Sequence, residues 1–427
     1  MSNKTVDQFL NFLNKSTSSF LAVENIASEL ENANYERLSE TDLWNLKPSH
    51  KYFVERNKTS LITFTVPSSE YSSFKIAAAH TDSPALKIKP RSEEVQNGTL
   101  SVGVEVYGGP IINTWLDREL GISGNVVITD ENSDLKTVNL LIDRGVAVIP
   151  NAPIHLNRQV NKGFEINAQK HLRAIFSQAT ESTTIQQLER LIADELCCET
   201  SNIVSWDLFF HPVQKAQLIG KNSEMLASSR LDNLAMCHAI LEGIKTSRNS
   251  SSIKVGVFFE SEEIGSRTSG GADGSFLSTV LERIILGLGG TREEYLRILA
   301  LSFLLSTDMA HAFNPGFSEK YDPDHICTVN GGIVLKLNGN MKYCTTGHSA
   351  SLIKLLCSRL NIPLQTQINR SDIPSGSTIG PIASSFTGIN GADVGNPLLA
   401  MHSSREFCGV TDHLDMIRLI SEFFMLN

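Results

Sequence analysis

Apolar residues return every three or four positions over Val6–Leu13, where Val6, Phe9, Leu10 and Leu13 share a face. Phe20–Leu30 repeats the pattern through Ala22, Val23, Ile26, Ala27 and Leu30. Both spacings predict helices. The rhythm then changes. Tyr52–Glu55, Leu61–Val66 and Phe74–Ala79 read as strands, and Pro84 in His80-Thr81-Asp82-Ser83-Pro84 restricts the residue before it and stops the last of them. From about Lys87 to Lys221 short strands and turns dominate. Leu100–Tyr107 alternates, Gly108-Gly109-Pro110 turns, and Gly124–Thr129, Val138–Ile142, Ala147–Ile149 and Val204–Phe210 are further strands around one helix, Leu188–Leu196. Beyond this stretch helices and buried strands alternate. Leu231–Glu242, Ala272–Leu288, Arg292–Leu304, Ser351–Arg359 and Asp412–Phe423 are predicted helical; Ile253–Phe259 and Leu398–His402 are predicted strands.

Helices alternating with apolar strands predict an α/β fold with a mixed or parallel sheet covered on both faces. The β-rich stretch is long enough to be a domain inserted into it. The expected organisation is residues 1–90 as the first segment of the main domain, 91–222 as the insertion and 223–427 as the second segment. At about 150 residues per domain, 427 residues fit two or three domains.

Composition narrows the function. Hydrophobic residues make up 41% and charged residues 19%, enough for a sizeable core. With 46 acidic against 37 basic residues the formal charge is -9, so a broad nucleic-acid surface is not expected. No apolar run reaches the 18 or so residues of a membrane helix, and the opening segment MSNKTVDQFLNFLNKS lacks the apolar stretch of a signal peptide. The seven cysteines form no CxxC pair, which argues against a thiolate zinc site and fits a reducing, cytoplasmic setting.

The chemistry gathers at the ends of predicted elements. His80 closes a strand, and Asp82 two residues on could hold its second ring nitrogen, as metal-ligating histidines require. Glu262 and Glu263 follow the buried strand Ile253–Phe259, where paired carboxylates call for a cation or a proton nearby. Asp308 follows the apolar run Ile298–Leu305, Asp232 lies in Ser229-Arg230-Leu231-Asp232-Asn233, and His402 ends Leu399-Ala400-Met401-His402. Each also has a structural reading: a surface HxD loop, a solvated acidic loop, a helix cap at Asp308 or Asp232, a structural histidine. Taken together they are ligands that zinc, cobalt or manganese accept, and a shared carboxylate suits a two-metal hydrolytic site. No HExxH, GxSxG or GxxxxGK[ST] motif is present, so single-zinc proteases of that type, serine hydrolases and P-loop enzymes lose support.

These segments, in this order, closely resemble the aspartyl-aminopeptidase family of cocatalytic zinc exopeptidases, in its bacterial branch. The matching stretches are His80–Pro84, Glu105–Gly109 with Trp115–Arg118, Ile154–Arg158, Ser229–Asn233, Glu262–Ser266, Asp308–Ala312, Ser318–Lys320, Asp372–Pro381 and Ala400–His402. The resemblance implies a zinc-exopeptidase α/β/α sandwich split by a dimerisation domain, dimers built into a tetrahedral dodecamer, and peptides as substrates. It implies two divalent metal ions per subunit, zinc first, with cobalt or manganese as substitutes. His80, Asp232, Glu263, Asp308 and His402 would be ligands, with Asp232 bridging. Asp82 would orient His80, and Glu262 would be the general base. His155 is implied as a metal ligand or as a residue that contacts substrate in a neighbouring subunit's site. Lys336 is the counterpart of the family's candidate for recognising an acidic amino-terminal residue. Two departures are Glu260, where relatives commonly carry Asp, and Arg267-Thr268-Ser269-Gly270, which varies from the commoner small or polar residues. The alternatives are a related zinc carboxypeptidase or aminoacylase-like deacylase, and a non-catalytic peptide-binding or assembly protein.

Overall fold

A computed structural model describes residues 3–68, 70–180, 183, 185–248 and 250–426. The chain divides into two compact units. One comprises Met1–Asp82, Ala216–Met401 and Glu406–Asn427, and the other Ser83–Lys215 with His402–Arg405.

The first unit is built on a nine-stranded mixed sheet. Its order is Glu36–Leu38, Lys51–Arg56, Ser60–Thr65, Ile253–Phe259, Phe74–His80, Phe303–Thr307, Asn390–Gly395, Ile333–Lys336 and Leu364–Gln367. Phe74–His80 runs parallel to both neighbours, and its register pairs Phe259 with His80, so the strands end at one rim. Every residue of Phe74–His80 and Ile253–Phe259 is buried, as expected for strands covered on both faces. Alternation sorts their side chains. Phe53, Leu61, Ala77, Ala79, Phe258 and Leu305 enter the core beneath the helices Asn3–Lys15, Ser19–Asn32, Leu231–Thr246, Gly347–Leu360 and Val410–Phe423. Val54, Ile62, Ile76, Ala78, Val257 and Leu304 enter the opposite core, under Phe276–Gly287, Arg292–Leu301 and Ile379–Thr387. The result is an α/β/α sandwich. A small five-stranded sheet joins Gln217–Ile219, Met225–Ser228, Glu406–Gly409, Pro397–Leu399 and Ala310–His311.

The second unit carries a six-stranded sheet, entirely antiparallel, in the order Leu135–Ala147, Leu120–Thr129, Ile203–Pro212, Ala85–Gln96, Thr99–Tyr107 and Arg173–Gln178. Its core takes Leu188 and Ile192 from the helix Gln187–Leu196. Ala85–Gln96 turns into Thr99–Tyr107 through Asn97 and Gly98, with φ of 48° and 76°. Positive φ at both central residues is the hairpin geometry that Asn-Gly favours.

Several element boundaries differ from the expectation. The helix predicted over Arg292–Leu304 stops at Leu301, because Ser302 is extended (φ -84°, ψ 164°), and Phe303–Thr307 begins a strand. One apolar run therefore serves a helix face and then a strand. Ala147–Ile149 is no separate strand; Ala147 ends the long strand Leu135–Ala147. Helix Phe276–Gly287 starts later than Ala272, after a glycine-rich turn, and the strand expected over Leu398–His402 ends at Leu399, with positive φ at Ala400 and His402. Among the described residues no helix is long and apolar enough to cross a membrane.

Candidate metal centre

The rim of the parallel strands gathers the chemistry of the first unit. His80 is the last residue of its strand and is 1% exposed. Its Nε2 lies 3.5 Å from Asp232 Oδ1, 3.7 Å from Asp308 Oδ1 and 4.0 Å from Glu262 Oε2. These are long for hydrogen bonds. They suit the edges of a coordination polyhedron, since two ligands each about 2.05 Å from a tetrahedral zinc stand about 3.3 Å apart. Ligand atoms of His80, Asp232 and Asp308, and those of His80, Glu262 and Glu263, fall within 4.8 Å of one another. An imidazole with several carboxylate oxygens is a donor set that fits zinc.

Each side chain is placed by an identifiable local device. His80 Nδ1 faces the Asp82 carbonyl oxygen at 3.1 Å and its carboxylate at 3.4 Å, so the backbone as well as the side chain of Asp82 can orient the ring. The Asp82 carboxylate is also the anchor of the glutamate turn, accepting from the backbone N–H of Glu262 and of Glu263, both at 3.1 Å. Those residues form a short 3-10 turn entered through Ser261 at φ 61°. Asp232 opens the helix Leu231–Thr246 but departs from helical geometry (φ -82°, ψ 104°), and its N–H donates to Glu406 at 3.1 Å. Asn233 donates to the Thr307 carbonyl at 2.9 Å, tying this turn to the strand that delivers Asp308. Asp308 follows that strand directly and its N–H donates to Val394. A Cβ at Gly395 would sit on the Asp308 carbonyl oxygen, so the close approach there requires glycine.

The electrostatics are those of a site assembled around positive charge. Burial alone would lower the His80 pKa, but the carboxylates of Asp232, Asp308, Asp82 and Glu262 hold it well above 6.5. Burial lifts the Glu262 carboxyl to about 7; His80 opposes the rise, and Asp308, Asp232 and Asp82 add to it. Lys336, 3% exposed, places Nζ 3.3 Å from Asp308 Oδ2. Burial works against its charge, yet Asp308 foremost, then Tyr343, Asp393 and Asp232, keep its pKa above the ordinary value.

Two expected residues lie on the second unit. His402 belongs to the segment His402–Arg405, with Nδ1 3.1 Å from the Gly109 carbonyl oxygen. His155 is exposed in a turn, and is in none of the groups that could hold a metal among the described residues. Sequence reading overlooked Glu406, Asn233 as a strand tie, and Cys237, whose thiol donates to the His80 carbonyl at 3.0 Å. A charged residue buried within a short strand, as Glu406 is, was the signal available for the first.

Residues 12–424 match the family model described as aminopeptidase I zinc metalloprotease (M18). A Clostridium novyi protein described as a probable M18 family aminopeptidase 2 is 40% identical over 430 residues, covering 99% of each chain. Among solved structures, a complex of Ape4 with Nbr1 superposes with a TM-score of 0.96 at 35% identity, covering 99% of this chain and 86% of that one. A Saccharomyces cerevisiae mApe1 dodecamer superposes at 0.84 with 26% identity, covering 99% and 97%. With a metal-ligand cluster at the sheet rim and relatives matched along nearly their whole length, the chain belongs to the M18 family of zinc metallo-aminopeptidases, enzymes that hydrolyse amino-terminal residues from peptides.

Proposed function

We propose that the cluster around His80 is the catalytic centre of a two-zinc aminopeptidase, with cobalt or manganese able to replace zinc. The observation that carries this reading is His80 Nε2 facing three carboxylates at 3.5 to 4.0 Å. His80, Asp232, Glu263 and Asp308 are the residues of the first unit that would hold the metal, and the family resemblance assigns His402 to the second ion. Two zinc ions, when bound, polarise the scissile carbonyl and acidify water. Glu262 takes the proton of the attacking water and hands it to the leaving amine. Asp82 fixes the His80 ring and holds the turn that presents Glu262. The free α-amino group of the substrate is held by the carboxylate shell, which restricts cleavage to the chain end. The reading predicts hydrolysis of peptides with a free amino terminus and none of amino-blocked peptides. The reverse result would favour a deacylase or carboxypeptidase, and no hydrolysis of either a peptide-binding protein.

Preference for Asp or Glu at the first position is proposed to come from Lys336. An ammonium has three N–H donors, and Asp308 engages one side of it. Lys336→Met is expected to lower the acidic-over-neutral ratio of kcat/KM about tenfold or more; an unchanged ratio would remove Lys336 from specificity. We further propose that residues 91–222 form a dimerisation domain, that dimers build a tetrahedral dodecamer, that His155 serves an active site as ligand or substrate contact, and that the enzyme is cytoplasmic.

A further inference from the structure

One buried carboxylate of the first unit has no part in the proposed chemistry. Glu406 is 1% exposed and, among the described residues, belongs to none of the groups that could hold a metal. A charge buried that deeply is costly unless specific partners stabilise it. Its Oε2 accepts from the Asp232 N–H at 3.1 Å, so it meets the backbone of a proposed metal-holding residue.

Strand register puts Glu406 there. In the small five-stranded sheet Glu406 pairs with Ser228, and from Ser228 the chain runs through Ser229, Arg230 and Leu231 to Asp232. The strand Glu406–Gly409 also pairs with Pro397–Leu399, which pairs in turn with Ala310–His311, just past Asp308. One scaffold lies behind both aspartates.

Asp232 depends on contacts from outside its own helix. Arg230 (φ 61°, ψ 25°), Asp232 (φ -82°, ψ 104°) and Asn233 (φ -123°, ψ 25°) all depart from helical geometry. The N–H groups of a helix's first turn have no partner within the helix. A carboxylate is a favourable acceptor at that end, where the helix carries partial positive charge. On the other side, the Asn233 side-chain amide donates to the Thr307 carbonyl at 2.9 Å. Asp232 is fixed between Glu406 and the strand that delivers Asp308, with Oδ1 turned to His80 Nε2 at 3.5 Å.

We infer that Glu406 is a positioning residue. By holding the Asp232 N–H it aims the Asp232 carboxylate into the cluster, and so sets how tightly zinc is bound. The inference rests on the two-zinc reading above and deepens it with a residue outside the ligand set.

The test compares close variants of the full chain, with zinc alone as the probe. Glu406→Gln keeps the reach and an acceptor oxygen but loses the charge; Glu406→Asp keeps the charge but falls a methylene short. Glu406→Ala, which removes the acceptor altogether, is the further variant. Zinc dissociation constants are measured by competition with a chromophoric chelator, and folding is followed separately by urea midpoints at saturating zinc. Outer hydrogen-bond partners of metal ligands contribute about 10 to 100-fold in affinity. Glu406→Asp and Glu406→Ala are expected to weaken zinc binding by about that factor, with Glu406→Gln within about threefold of the unmodified chain. A purely structural role for Glu406 would shift the urea midpoints and leave the zinc dissociation constants unchanged, and that result would overturn the inference. A loss in Glu406→Gln as large as in Glu406→Asp would also overturn it, because charge rather than the hydrogen bond would then set the affinity. Both results leave the aminopeptidase reading intact. An unmodified chain that binds no zinc would overturn the inference and the two-zinc reading together.

Discussion

Two buried histidine sites in the same unit have opposite chemistry. His80 is surrounded by carboxylates, which hold its pKa well above 6.5 against the effect of burial. His238 and His413 are equally buried, 3.0 Å apart from Nδ1 to Nε2, but their surroundings are aromatic. Phe9 stacks on His413 with centroids 3.7 Å apart, and Phe12 lies 5.4 Å from His238. Burial pushes both of these imidazoles down, and for His238 the neighbouring His413 and Lys245 push further. Desolvation acts on all three rings. The neighbours decide whether the charge survives it, and only the site that keeps charge resembles a place for a cation.

The largest expected effect separates the two sites by activity. Glu262→Gln keeps the shape of the cluster and removes its base, so turnover is expected to fall about 10² to 10⁴-fold. Zinc content measured by atomic emission should stay close to that of the unmodified enzyme. Comparable turnover in the variant would take the base role from Glu262. Chelation comes next. Removing metal leaves the carboxylates to repel one another, and an enzyme that had free zinc at 100 times Kd loses about 2.7 kcal/mol of stability. Denaturant midpoints with and without chelator measure this, and identical midpoints would argue that nothing binds at His80.

The aromatic pair responds to pH instead. Its folded-state pKa values lie below the ordinary 6.5, so as pH falls through that value the unfolded chain binds protons that the folded chain refuses. Stability is therefore unaffected by these groups above pH 6.5 and declines below it, by up to about 1.4 kcal/mol per pH unit for each histidine. His413→Gln should flatten that slope in urea titrations at pH 7.5, 6.0 and 5.0; a slope as steep as before would place the acid sensitivity elsewhere. The smallest effect is that of Phe9→Leu. Losing the ring stack is expected to cost about 1 kcal/mol, measured as a shift of the urea midpoint, with the metal content unaltered.

Much of the rim was legible because its residues interrupt strong patterns. Ile253–Phe259 is apolar apart from Lys254 and was delimited as observed, so the acidic pair behind it stood out. His80 ends a run of small buried residues for the same reason. Less visible were contacts that depend on chain crossings. The sequence could not reveal that Asp82 uses both carboxylate oxygens on the Glu262 turn, or that Glu406 meets the Asp232 N–H from 174 positions away. Of the small five-stranded sheet only the strand Pro397–Leu399 was anticipated, because two to four residues per strand carry too little alternation to detect. The hairpin at Asn97-Gly98 was marked by its turn dipeptide and could have been found from it. His238 and His413 could not be paired from sequence, since nothing local distinguishes a histidine facing phenylalanine from one facing carboxylate.

The account turns on cations gathered by His80 and its neighbouring carboxylates. Anomalous diffraction at the zinc edge, from crystals of the zinc-loaded enzyme, tests this most directly. The account predicts a zinc peak about 2.0 to 2.2 Å from His80 Nε2 and from carboxylate oxygens of Asp232 and Asp308. Crystals with full zinc content and no anomalous peak among those three residues would contradict it.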